Sequence, residues 1–205
     1  MNRRSVLTVL AFLMAGVLAG AFVTNYLHNS PAAVTAASSH DTAGDGGPIV
    51  DITLSTVAQV GSGDHPNWVG YLPTTFFKVP PNSTVRMTID QLDGASGMRN
   101  PYQALVRGTV GDSMTVNGKT MKAINPDDAA HSFAVPDLGV NVPLLAVDAS
   151  APPNSSNVIV FSFKVPASGI FHWQCFVPCG AGTLYGLGGP MQTLGYMDGQ
   201  IEVGS

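Results

Sequence analysis

The 205-residue sequence predicts an all-β fold, a Greek-key β-sandwich preceded by one N-terminal transmembrane or signal helix. Three observations carry this. Short runs of alternating apolar and polar residues recur from Asp51 to Val203, separated by Gly, Pro and Asn turn chemistry. Asn117-Gly118, between "SMTV" and "KTMKAI", is the dipeptide that favours a tight type I′ hairpin. Only 11% of residues are charged, with 23 Gly and 15 Pro, a profile closer to an exported β-domain than to a helical cytoplasmic one.

The N-terminus, residues 1–27, places Arg3 and Arg4 before an uncharged apolar run from Val6 to Val23. A basic segment followed by an apolar core is an export signal. At about eighteen residues the run is just long enough to cross a bilayer, so it reads as a signal-anchor or a cleaved signal peptide. With the arginines held inside, the rest of the chain faces the extracytoplasmic side, membrane-anchored or, if the signal is cleaved, secreted. Residues 28–48, rich in Ala, Ser and Gly, bury too little apolar area to order themselves and read as a flexible tether.

The domain expected over 49–205 opens with "DITLSTVAQV", where Ile52, Leu54 and then Val57 form the apolar set. "TFFKVPPNSTVRMTIDQL" holds two runs around a turn, the second alternating Val85, Met87 and Ile89 with polar residues. "GASGMRNPYQALVRG" interrupts the strands, and Pro101 leaves room there for no more than a short turn. "NVIVFSFKVP", "GIFHWQC" and "GYMDGQIEV" then supply three further strands, with Ile159, Phe161 and Phe163 on one face of the first. Seven or eight strands over about 155 residues suit a sandwich.

Charge excludes nucleic acid as a partner: nine Lys and Arg stand against 13 Asp and Glu, with no basic run beyond the N-terminus. The two cysteines, Cys175 and Cys179, lie in "FHWQCFVPCGAG" at a strand end entering a Gly-rich loop. The spacing leaves a disulfide, a metal clamp and two thiols open. His131, in "PDDAAHSFAVPDLGV", is flanked by strand patterns on both sides. One imidazole, one or two thiolates and a later methionine form a donor set that favours copper. Ser132 beside His131 is the wrong arrangement for a hydrolytic nucleophile and its base.

Taken together, "HSFAVPDLGV" and "FHWQCFVPCG" resemble the copper-binding extracytoplasmic domain of cytochrome c oxidase subunit II, within the cupredoxin family. Asp128, His131, Ser132, Phe133, Val135, Pro136, Leu138 and Gly139 match that family's first loop. Gly169, Phe171, Gln174, Cys175, Cys179 and Gly180 match its second. The resemblance implies a cupredoxin-like sandwich, with His131 and the bridging Cys175 and Cys179 as copper ligands and Val177 offering its backbone carbonyl. Two departures stand out. Thr183 occupies the position of the family's second histidine, and Gly186 that of its methionine, so that Met191 becomes the axial candidate.

Three arrangements stay open: a binuclear centre with a substitute ligand, a mononuclear centre, or a disulfide without metal. The mononuclear one, on His131, Cys175 and Met191 with Cys179 as a further sulfur ligand, is favoured, and the late Met is similar to the loop of sulfocyanin. His65 is a candidate substitute histidine; His172, three residues before Cys175 on a strand, points to the opposite face. Met197 reads as core, and "GVNVPLL" with "GTLYGLGGPM" as a low-polarity rim around the copper loop.

The function implied is single-electron transfer in a respiratory chain, with a cytochrome or terminal oxidase as redox partner. Such a chain catalyses nothing alone. A copper carrier or assembly factor, and a non-metallated structural subunit, are the alternatives.

Overall fold

The computed structural model describes residues 34–35, 38–39, 47–58, 68–97, 100–179 and 188–204. The apolar N-terminal segment over 1–27, most of the expected tether, His65 and Thr183 lie outside them. Among the described residues no helix is long and apolar enough to cross a membrane.

The chain from Val34 onward builds two β-sheets over one shared core. In the first sheet the order is β1 (Val34–Thr35), β5 (Phe76–Val79), β13 (Asp198–Val203), β12 (Gly169–Gln174), β9 (Ala129–Val135) and β10 (Val140–Leu145). The second runs β2 (Ser38–Ser39), β3 (Ile49–Val57), β6 (Thr84–Gln91), β11 (Asn157–Lys164), β7 (Met114–Val116) and β8 (Lys119–Met121), with β4 (Gly70–Leu72) paired to β3. The all-β sandwich expected from the sequence is therefore present. β1 and β2 fall within the stretch read as tether, and each pairs with a sheet strand. Both sheets are mixed: β3 runs parallel to β6, and β5 parallel to β13. The chain changes sheet at β1–β2, β4–β5, β5–β6, β8–β9, β10–β11 and β11–β12, so strands distant in sequence become neighbours.

Alternation places the core. Val85, Met87 and Ile89 of β6 and Ile159, Phe161 and Phe163 of β11 are all buried, as a half-buried strand requires. In β3 the buried set is Val50, Ile52, Leu54 and then Thr56, with Val57 only half-buried. The expected break to Val57 does not occur, because the buried Thr56 hydroxyl hydrogen-bonds to the Gln91 side chain on β6. The hairpin forms at the expected place: Asn117 and Gly118 have φ of 50° and 81°, the pair of positive values that a type I′ turn needs.

Trp173 anchors the first sheet to the core. It stacks on Phe133 with centroids 4.8 Å apart and meets Tyr71 edge-on at 5.0 Å. Its indole N–H donates to the Thr75 carbonyl at 3.0 Å. Gly199, opposite Trp173 on β13, leaves room for this: a Cβ there would stand 2.0 Å from the Thr75 oxygen.

β10 departs from expectation. "GVNVPLL" was expected at a surface rim, yet Val140 through Leu144 are buried. A continuous apolar run is what a strand covered on both faces requires, and β9 beside it is buried at every position.

Candidate metal centre

The site lies where β9 passes the end of β12. On β9, Ala129, His131, Phe133 and Val135 share one face, and Phe133 and Val135 belong to the core. His131 therefore points inward and is buried. Ser132 turns its N–H to Cys175 Sγ at 3.3 Å and its carbonyl to the Tyr71 hydroxyl at 3.0 Å. Both groups face away from β10, so Pro143, which opposite Ser132 has no N–H to give, costs the ladder nothing.

The chain leaves β12 at Gln174 and turns back on itself. The Cys175 N–H donates to the Met197 carbonyl at 2.9 Å, and the Phe176 N–H donates to Ser132 Oγ at 2.8 Å. These bonds tie the cysteine loop to β9 and to the entry of β13. The loop then presents both sulfurs to one carbonyl: Val177 O lies 3.1 Å from Cys175 Sγ and 2.9 Å from Cys179 Sγ. The sulfurs stand 3.4 Å apart and are not joined as a disulfide. Met191 brings its thioether 3.2 Å from the Cys179 N–H.

The donor atoms of His131, Cys175 and Cys179 all fall within 4.8 Å of one another. All three residues are buried, with 4%, 0% and 7% of their surface exposed. His131 Nε2 is 2.8 Å from Asp93 Oδ2, while Nδ1, equally buried, has no hydrogen-bond partner. Of the residues expected at the site, the structure thus gathers His131, Cys175, Cys179, the Val177 carbonyl and Met191. Met197, fully buried, serves the core instead. His172 points away: its ring is half-exposed and bonds Asp198 at 2.6 Å.

Electrostatics favour one thiolate among groups that hold their protons. Burial pushes the Cys175 thiol up, but Cys179, His131 and the Ser132 N–H together bring it well below its usual range. Cys179, donating to Cys175 and buried itself, is pushed well up. Burial opposes charge on His131 too, yet Asp93 and Cys175 outweigh it and hold the imidazole at about 9. Tyr71 is raised by burial and by the negative charges of Cys175, Cys179 and Asp93, and stays a neutral donor.

This set fits a soft metal cation. Two sulfurs, an imidazole nitrogen, a thioether and one carbonyl oxygen converge in a buried space, a donor set that suits a soft ion once the thiol protons are displaced. Nδ1 of His131 is orphaned in the same place, which is how an unmetallated ligand nitrogen looks.

Asp93 is the partner that sequence reasoning missed. It follows β6 in "DQLDGASG", an acidic turn with no local mark of a role, and meets His131 only because the fold brings β9 to it from the other sheet.

No protein-family model and no curated protein matches the chain. Among solved structures, the chain is similar to one from a heme-copper terminal oxidase dimer determined by cryo-electron microscopy. That match has 14% identity, a TM-score of 0.35, and covers 97% of this chain and 99% of the other. It is also similar to a rusticyanin variant, at 14% identity and a TM-score of 0.32 over 82% of this chain and 86% of the other. Rusticyanin from Thiobacillus ferrooxidans matches at 14% identity and a TM-score of 0.27, over 76% and 80%.

Proposed function

We propose that the chain is a cupredoxin-type copper protein that passes single electrons on the extracytoplasmic side of a membrane. The observation that carries this is the buried convergence of His131, Cys175 and Cys179 around the Val177 carbonyl. Thiolate and imidazole together, with a thioether beside them, favour copper over harder divalent ions. His131, Cys175 and Cys179 would hold one copper, with the Met191 thioether and the Val177 carbonyl as further donors. Bound copper supplies a one-electron couple.

The protein's own part is rigidity and dryness. The cysteine loop is tied to β9 and to the entry of β13 before any metal enters, so little has to move when charge changes. Burial of all three donor residues keeps water from the centre. It also argues against a carrier that hands its metal on, because transfer by ligand exchange needs exposed donors. In this reading residues 1–27 anchor the domain or export it, and a cytochrome or terminal oxidase is the redox partner. The Thr183 substitution favours one copper over two.

Adding Cu(II) to the purified chain tests the proposal. An intense sulfur-to-copper absorption band, one copper per chain, a hyperfine pattern from a single nucleus and a reversible potential are expected. Colourless Cu(I) binding alone would replace it with a carrier role, and a hyperfine pattern shared between two nuclei would replace the mononuclear site. No copper uptake would leave a structural subunit.

A further inference from the structure

We infer that Asp93 is the positioning residue of the metal centre: its carboxylate holds His131 by Nε2, so that Nδ1 alone faces the two sulfurs. The inference deepens the copper-site reading and rests on it for its metal-binding arms.

The geometry carries it from two sides. On the histidine, Nε2 is engaged by Asp93 Oδ2 at 2.8 Å while Nδ1 is buried and unpartnered. With Nε2 held by a carboxylate, Nδ1 is the nitrogen left to offer a metal its lone pair once the cation displaces its proton, the orientation a ligand needs. On the aspartate, the backbone is fixed independently of the histidine. Its carbonyl accepts from Gln91 Nε2 at 2.8 Å and from the Val147 N–H at 2.9 Å. Gln91 is held in turn by the buried Thr56 hydroxyl, which also accepts from the Leu92 N–H at 3.1 Å. β3, β6 and the segment after β10 thus converge to place one carboxylate, 38 residues before the histidine that it orients.

Asp93 also lines an open cavity of about 320 Å³, bounded by Thr56, Leu92, Val147, Pro152 and Ser155. Its side chain is 23% exposed against 5% for His131. The carboxylate behind the ligand therefore touches solvent. Truncation there opens into an existing cavity instead of leaving a void in the core, so variants at this position are expected to fold.

Two substitutions separate the contact from the charge. Asp93→Ala removes both; Asp93→Asn keeps an oxygen that accepts from Nε2 but removes the charge. In Cu(I) competition against a chelator, D93A is expected to lose about 10- to 100-fold in affinity, and D93N much less. The reduction potential of D93N is expected to rise, since the lost negative charge favoured the more positive copper state. In the metal-free protein a downfield His131 Nε2–H proton resonance is expected in wild type and its loss in D93A. That last measurement reads the contact whether or not copper binds, so a wild type that takes up no copper defeats the copper reading alone. Cu(I) affinity of D93A within twofold of wild type, or an Nε2–H resonance unchanged by the substitution, would overturn the inference.

Discussion

Ser132→Ala tests how the cysteine loop is held. The hydroxyl is wholly buried and accepts the Phe176 N–H at 2.8 Å. Alanine keeps the methyl-sized Cβ, so the perturbation is one missing acceptor with almost no cavity. A buried N–H left without a partner costs about 1–3 kcal/mol. Phe176 itself is 37% exposed, so water reaches part of this backbone and the lower half of that range, about 1–2 kcal/mol, is expected. With a urea m-value of about 2 kcal/mol/M, the unfolding midpoint of the metal-free protein falls by about 0.5–1 M. The Ser132 N–H to Cys175 and the Tyr71 bond to the Ser132 carbonyl are backbone contacts on Ser132 and survive the change. The far-ultraviolet spectrum therefore stays native. A midpoint shift under about 0.2 M would mean that solvent already satisfies the Phe176 N–H and that the loop is tied elsewhere.

Cys175→Ser is expected to abolish the copper absorption band and Cys179→Ser to leave a shifted one, because Cys175 is the sulfur whose surroundings hold it as thiolate; equal loss in both would favour two bridging sulfurs. Gly199→Ala drives a Cβ to 2.0 Å from the Thr75 carbonyl and is expected to cost about 1–3 kcal/mol, with Trp173 fluorescence shifting as its N–H loses that carbonyl; an unshifted spectrum with wild-type stability would count against the packing described. Asp198 is raised above the ordinary carboxylate range by burial, which outweighs the contact with His172. A raised carboxylate contributes stability that is complete below about pH 3.9 and is lost as pH rises through its folded value. Asp198→Asn should therefore compare better with wild type at pH 7 than at pH 4 in paired urea titrations, and an equal difference at both would refute the assignment.

Local pattern made much of this molecule legible. β6 and β11 announce themselves by strict alternation, and Asn117-Gly118 by the positive φ values that only such residues take cheaply. The site was legible as a spacing, because a strand histidine and a cysteine pair keep their order even when the loops between them change. What escaped notice has a common physical character. Thr56 looks like a solvent-facing threonine until Gln91 meets it across two parallel strands. "GVNVPLL" looks like an apolar rim because burial on both faces and exposure at a docking edge produce the same composition. Asp93 looks like any acidic turn, since its meaning depends wholly on a histidine that the fold brings from another sheet.

Cys175, His131 and Asp93 also bear on why the site is built at all. A buried charged group beside a buried imidazole is weak evidence for stability, since desolvation offsets most of the attraction. The aromatic cluster of Phe133, Phe161, Phe163 and Trp173 packs through its own ring contacts. The fold spends Thr56, Gln91 and a backbone turn on fixing a carboxylate, and Ser132 on fixing a loop. Thr56, Gln91 and Ser132 have their partners, while of the five buried side-chain atoms without one among the described residues the single nitrogen is His131 Nδ1. A buried nitrogen left without a partner beside two sulfurs is the arrangement expected where the last partner is a metal ion.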